Sequence, residues 1–145
     1  MKAFETSGIK RIIVVHLGKG EKVLESIRKV IEEQGIRNGV VLSGIGSLRK
    51  IIMHYIKTLD DLPVNEYITI ESPSEMGSVQ GLILNGEPHL HIVCSDLNRV
   101  YAGHMEDGCE VQYLAELTIA ELDCDLVRKL DEYGISYIDK KLPFK

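Results

Sequence analysis

The run Pro88-His89-Leu90-His91-Ile92-Val93-Cys94-Ser95-Asp96-Leu97-Asn98-Arg99-Val100-Tyr101-Ala102-Gly103-His104-Met105 decides the fold class. Strand-forming residues fill both ends of it, and Asp96-Leu97-Asn98-Arg99 between them has the composition of a tight turn. Two strands joined so briefly must be antiparallel neighbours. A turn centred between Leu97 and Asn98 sets His91 opposite His104, with Cβ atoms about 4.5–5.5 Å apart. His89 and His91, spaced i, i+2, share one face of their strand. Three of the chain's five histidines therefore converge on one patch of sheet.

Working outward, Asn85-Gly86 is a strong hairpin dipeptide. It joins the histidine strand to Ser78-Val79-Gln80-Gly81-Leu82-Ile83-Leu84, which makes three successive strands an antiparallel meander. Asp107-Gly108 is a further turn. Residues 109–122 then alternate as one long strand, with Val111, Tyr113, Ala115, Leu117 and Ile119 on one face. Upstream, Arg11-Ile12-Ile13-Val14-Val15-His16-Leu17 is a β-branched run read as a buried strand, in which His16 is a core or edge histidine rather than a ligand. Residues 21–34 predict a helix, because Val23, Leu24, Ile27, Val30 and Ile31 form one apolar face and Gly35 supplies the stop. The glycines at its start lack the Lys-Ser/Thr of a phosphate loop.

Asn38 to Leu48 reads as a strand entering glycine-punctuated backbone at Gly44 and Gly46, with a bulge or bend there. A second strand covers residues 49–57, with His54 and Tyr55 on opposite faces, and Tyr67-Ile68-Thr69-Ile70 is a short third. Residues 125–134 predict a short helix stopped by Gly134, and residues 135–138 a last strand. No linker, low-complexity segment or internal repeat divides the chain, so one domain over residues 1–145 is expected.

Composition narrows the function classes. A net charge of −5 argues against broad phosphate binding, since nucleic-acid proteins carry a basic excess or stripe. Lys10-Arg11 and Lys140-Lys141 read as solvated surface charge. Cys94, Cys109 and Cys124 contain no Cys-x-x-Cys pair and fit reduced thiols in a cytoplasmic protein. No leader-like apolar run opens the sequence, and no segment has the ~20 apolar residues of a membrane span.

Neutral imidazoles bind Zn²⁺, Ni²⁺, Cu²⁺ or Fe²⁺, and three of them leave a fourth tetrahedral position open. The spacing fits a divalent-metal site, with Zn²⁺ the first choice, from His89, His91 and His104, and fits equally strand histidines that pack or hydrogen-bond. A slip of one residue in the hairpin would send His104 to the other face and leave ordinary strand histidines. Cys94, at odd offset from His91, faces away. Glu75, Glu106 and Glu116 are the carboxylates on or beside the same strands. Glu106 falls opposite His89 in the same register, where it could hydrogen-bond a ligating histidine or act as general base, and Glu75 is the other candidate base. Exposed strand-end glutamates fit the same sequence. No nucleophile–base pair is present, and Ser43 and Ser47 lie outside any nucleophile elbow.

Several pieces then fall into a familiar order. They are Val40-Val41-Leu42-Ser43-Gly44-Ile45-Gly46-Ser47-Leu48, Glu75-Met76-Gly77-Ser78-Val79-Gln80-Gly81 and Pro88-His89-Leu90-His91. Ser95-Asp96, Ala102-Gly103-His104-Met105, Gly108-Cys109-Glu110-Val111 and Ala115-Glu116-Leu117 continue it. In this order and spacing the chain resembles the PPC domain (plants and prokaryotes conserved domain) in its free-standing prokaryotic form. The resemblance implies an α+β fold, a largely antiparallel sheet flanked by helices, and a homotrimer. It also implies metal ligation by His89, His91 and His104. Plant relatives join the domain to an A·T-binding hook and generally lack these histidines; this chain has the histidines and no Arg-Gly-Arg-Pro hook. Ala102 stands where the family usually has glycine.

Three functions follow as expectations. The first is a trimeric metal-binding protein with a binding or regulatory role. The second is a metal-dependent enzyme acting on a small molecule, with Glu106 or Glu75 as base. The third is DNA association, which rests on how the family is described.

Overall fold

The computed structural model describes residues 1–141. One seven-stranded antiparallel sheet dominates it, with strand order β1-β7-β2-β4-β5-β6 and β3 paired to β2. The strands are β1 (Ile9–Gly18), β2 (Asn38–Ile56), β3 (Asn65–Ile70), β4 (Ser74–Leu84), β5 (Glu87–Ser95), β6 (Val100–Met105) and β7 (Glu110–Leu122). A separate hairpin, β8 (Leu126–Leu130) with β9 (Ser136–Lys140), ends the described chain.

A single helix among the described residues, α1 (Val23–Glu33), follows β1, so the expected flanking helices reduce to one. Its buried stripe is Val23, Leu24, Ile27 and Ile31, and Gly35 adopts a φ of 64° just past the end. That stripe joins one core with Val15 and Leu17 of β1, Val79 and Ile83 of β4, Ile92 of β5, and Leu117 and Ile119 of β7.

The meander has the predicted register. Leu84 pairs with Glu87 around the Asn85-Gly86 turn, whose residues have φ of 54° and 86° as such a turn requires. His91 pairs with His104 and Ser95 with Val100. Asp96 fixes the second turn by accepting hydrogen bonds from the backbone N–H groups of Asn98 and Arg99.

Elsewhere the elements differ from those expected. Residues 125–134 are not a helix. Leu126, Val127 and Leu130 suit a helix face or a short strand equally, and pairing with β9 from Leu126↔Lys140 to Leu130↔Ser136 settles it. The Asp131 carboxylate accepts from the N–H groups of Tyr133 and Ile135, and Gly134 is a turn residue rather than a helix stop. The β1 strand is buried on one face only: Val15 and Leu17 are inside, whereas Ile12 and Val14 are exposed. Tyr113 leaves the inner face of β7 near a register shift between β2 and β7, and Ser47 Oγ accepts its N–H.

The two strands expected over residues 38–57 are one long, bent strand, β2. It pairs with β7 and β4 along its first part and with β3 along its last. Near that end it also takes β6, through Met53↔Met105 and His54↔His104. The path β2-β4-β5-β6 thus returns to β2 and closes on itself. Closure requires Gly103, where a Cβ would lie 2.9 Å from the His54 carbonyl oxygen.

Candidate metal centre

β6 carries His104 between two other histidines, His91 on β5 and His54 on β2. Antiparallel pairing turns directly opposed side chains to the same face, so the three rings share a surface. His89, two residues before His91 on β5, joins them. The His89 and His91 rings stack nearly parallel with centroids 5.6 Å apart. His104 meets both edge-on, at 4.7 Å from His89 and 5.5 Å from His91. One ring nitrogen from each of the three lies within 4.8 Å of the others. Gly81, at φ 149°, keeps β4 close behind: a Cβ there would come within 2.0 Å of the His89 carbonyl oxygen.

The donor set and its protonation fit a divalent ion. Burial is the first cause holding His104 down to about 4, followed by the neighbouring His89 and His54; Glu106 acts the other way. His89 keeps an exposed edge, yet partial burial, Arg128 and His91 also hold it below the usual imidazole range. Both rings are therefore neutral near pH 7, the form that ligates a metal. Cys94 is buried on the opposite face of β5, its thiol pushed up to about 12 chiefly by burial, and so offers no thiolate.

The two glutamates part company. Glu106 Oε1 accepts a hydrogen bond from His54 Nδ1 at 2.5 Å and lies 4.0 Å from His104 Nε2. It leaves the β5–β6 ladder, whose pairing begins at His91↔His104, and its N–H donates to the Ile52 carbonyl of β2. The partner of Glu106 is thus His54 rather than His89. Glu75 lies elsewhere, exposed, paired with Ser47 and Ser95, and lining a different hollow with Leu97 and Tyr113. It is not beside the histidines.

His54 is the residue the sequence reading passed over. It forms a second ligand-like group with His104 and Glu106. The available signal was Gly103, since a glycine beside a strand histidine marks close approach of another backbone, here that of His54.

The profile of the Plants and Prokaryotes Conserved (PCC) domain matches residues 4–123. The chain belongs to the PCC domain family. That span covers β1 to β7 and all five residues of the cluster; β8 and β9 lie beyond it. Among solved structures, a plant- and prokaryote-conserved protein from Pyrococcus horikoshii is similar at 24% identity, with a TM-score of 0.80 over 99% of this chain and 100% of that one. A metal-containing protein from Archaeoglobus fulgidus is 24% identical, with a TM-score of 0.74 over 92% of this chain and 95% of that one. A candidate DNA-binding protein from Bacteroides thetaiotaomicron is 17% identical, with a TM-score of 0.80 over 94% and 96%. At such identities the likeness is one of fold. The bifunctional protein GlmU of Synechococcus sp. (strain JA-3-3Ab) is 24% identical over 116 residues, 79% of this chain and 18% of GlmU. The PCC domain chain thus spans under a fifth of the length of that relative.

A hollow of about 500 Å³ opens beside the cluster of this PCC domain. Its wall includes His54, His89, His91 and His104 together with Ile56 and Val93. None of the described helices is long and apolar enough to cross a membrane.

Proposed function

We propose that this PCC domain binds one divalent metal ion, with Zn²⁺ the first choice, through His89, His91 and His104. In this reading it works as a homotrimeric cytoplasmic protein in a binding or regulatory role, with residues 1–145 as one domain. The observation that carries the reading is the convergence of three ring nitrogens within 4.8 Å, two of them on rings held neutral. Such an ion would act as a Lewis acid and leave one coordination position for water or a small ligand. An exposed sheet face bearing Ile12, Val14, Leu42, Ile45 and Leu114 supports the trimer, because a patch of that kind is usually covered by a partner.

Elemental analysis of purified protein should find about one ion per chain, and His91→Ala should lose it. Metal retained by that variant would remove the ligand assignment. Sedimentation should give a trimer, and a monomer would remove that part alone.

A second reading, a metal-dependent enzyme on a small molecule, is favoured by the solvent-open hollow beside the rings. Glu106, hydrogen-bonded to His54, is its base. DNA association is suggested by the descriptions of two structural neighbours and opposed by the net charge of −5. It predicts salt-sensitive gel retardation, and no shift at low salt would dispose of it.

A further inference from the structure

We propose that His54 recognises the ligand at the ion's open position by accepting a hydrogen bond through Nε2, and that Glu106 is the positioning residue that aims it. The inference rests on the three-histidine reading and adds to it the class of ligand. An ionised carboxylate only accepts hydrogen bonds, so at 2.5 Å from Glu106 Oε1 the His54 Nδ1 must carry the proton. With Nδ1 given to Glu106, the other ring nitrogen, Nε2, is left for a ligand, and in that tautomer it offers a lone pair.

Location makes that lone pair useful. His54 lines the hollow with the three proposed ligands, and its ring centroid is 4.5 Å from that of His104 and 5.3 Å from that of Tyr67. Its nitrogen groups with His104 and Glu106, while His89 and His91 group with His104. The proposal seats the ion among His89, His91 and His104, with His54 beside it in a second grouping that shares His104. The hydroxyl of Tyr55, also in the wall, is donated to Met53 Sδ at 3.2 Å. The remaining side chains of the wall are Ile56, Ile92, Val93 and Ala102, none of which hydrogen-bonds. A ligand that fits has an oxygen or nitrogen for the metal, an adjacent O–H or N–H for His54, and a small apolar body. Hydroxamic acids and α-hydroxy acids have this chemistry; thiocyanate, which binds metals, lacks the donor.

The test uses the full chain loaded with Co²⁺, whose visible absorption reports ligands entering the open position. Acetohydroxamic acid and thiocyanate are the two probes. In His54→Ala the ion content should stay at the wild-type value and thiocyanate affinity should hold, while acetohydroxamate weakens about tenfold. Glu106→Ala should act in the same direction. Glu106→Gln, which keeps an acceptor oxygen, should restore most of the loss. Equal affinity of both probes for wild type and His54→Ala would overturn the proposal, as would equal weakening of both. Loss of the ion from His54→Ala would place His54 among the ligands and overturn it too. Failure of wild type to bind any ion would instead remove the three-histidine reading, and this inference with it.

Discussion

His104 has two neighbours of different origin. His91 reaches it across a hairpin closed by four residues, whereas His54 reaches it across a ladder joining strands far apart in the chain. The first contact is set by local turn chemistry and period-two alternation, and both are written in neighbouring residues. The second depends on a sheet that bends until its β6 edge returns to β2. That depends on bulges in β2 and on what every other strand does. Local pairing builds the half of the cluster proposed to hold the ion, and long-range closure adds the half proposed to read its ligand.

Substitutions can separate those halves. Gly103→Val should have the largest effect, since its Cβ meets the His54 carbonyl at 2.9 Å and Met53 Sδ at 3.1 Å. Overpacking of that kind costs about 1–3 kcal/mol, measurable by urea unfolding. If the hairpin alone holds the ion, Gly103→Val should still bind it. Loss of both stability and metal would mean that closure is needed for both halves.

Arg128→Ala should have a smaller effect. Arg128 donates to the carbonyl oxygens of Leu82 and Glu87 at 3.0 and 2.9 Å, tying β8 to the β4–β5 hairpin. Each bond is partly solvated, so about 1 kcal/mol is expected. The loss should appear as faster hydrogen exchange across Leu126–Leu130 with β5 and β6 unchanged. Faster exchange spreading into β5 would show that the terminal hairpin braces the histidines.

A third contrast concerns acid. His104 titrates at about 4 in the folded protein against 6.5 as its ordinary value, so the unfolded chain takes up that proton first as pH falls. Stability without metal is then level above pH 6.5 and declines from there down to about 4, with a slope softened because the ring is partly exposed. His89, also lowered, adds in the same direction. With a chelator present, Tm should fall over that interval and His104→Gln should flatten the curve. A Tm that rises on acidification would contradict the burial of His104.

These contrasts explain what could be read in advance. The β4–β5–β6 register, the helix face and the convergence of His89, His91 and His104 followed from turns and alternation. Residues 125–134 were misread because three apolar residues at i, i+1 and i+4 fit either element, and only pairing with β9 decides between them. Glu75 looked well placed because it is near β5 in the sheet, but it sits at the far end of that strand, opposite Ser95. Glu106 was expected in the hairpin register and instead turned to β2, for the same reason that His54 was missed. Closure of a sheet leaves only a faint trace in sequence, here one glycine.

That glycine marks a seam. Where β6 meets β2, the two rungs at Met53 and His54 are the short join that keeps a curved sheet from opening like a book. An ion bound across β5 and β6 would stiffen one leaf right up to that join. Its presence should then register in the exchange rates of the Met105 and His104 amides before it registers in any change of shape. Unchanged rates on metal addition would mean that the seam holds without it.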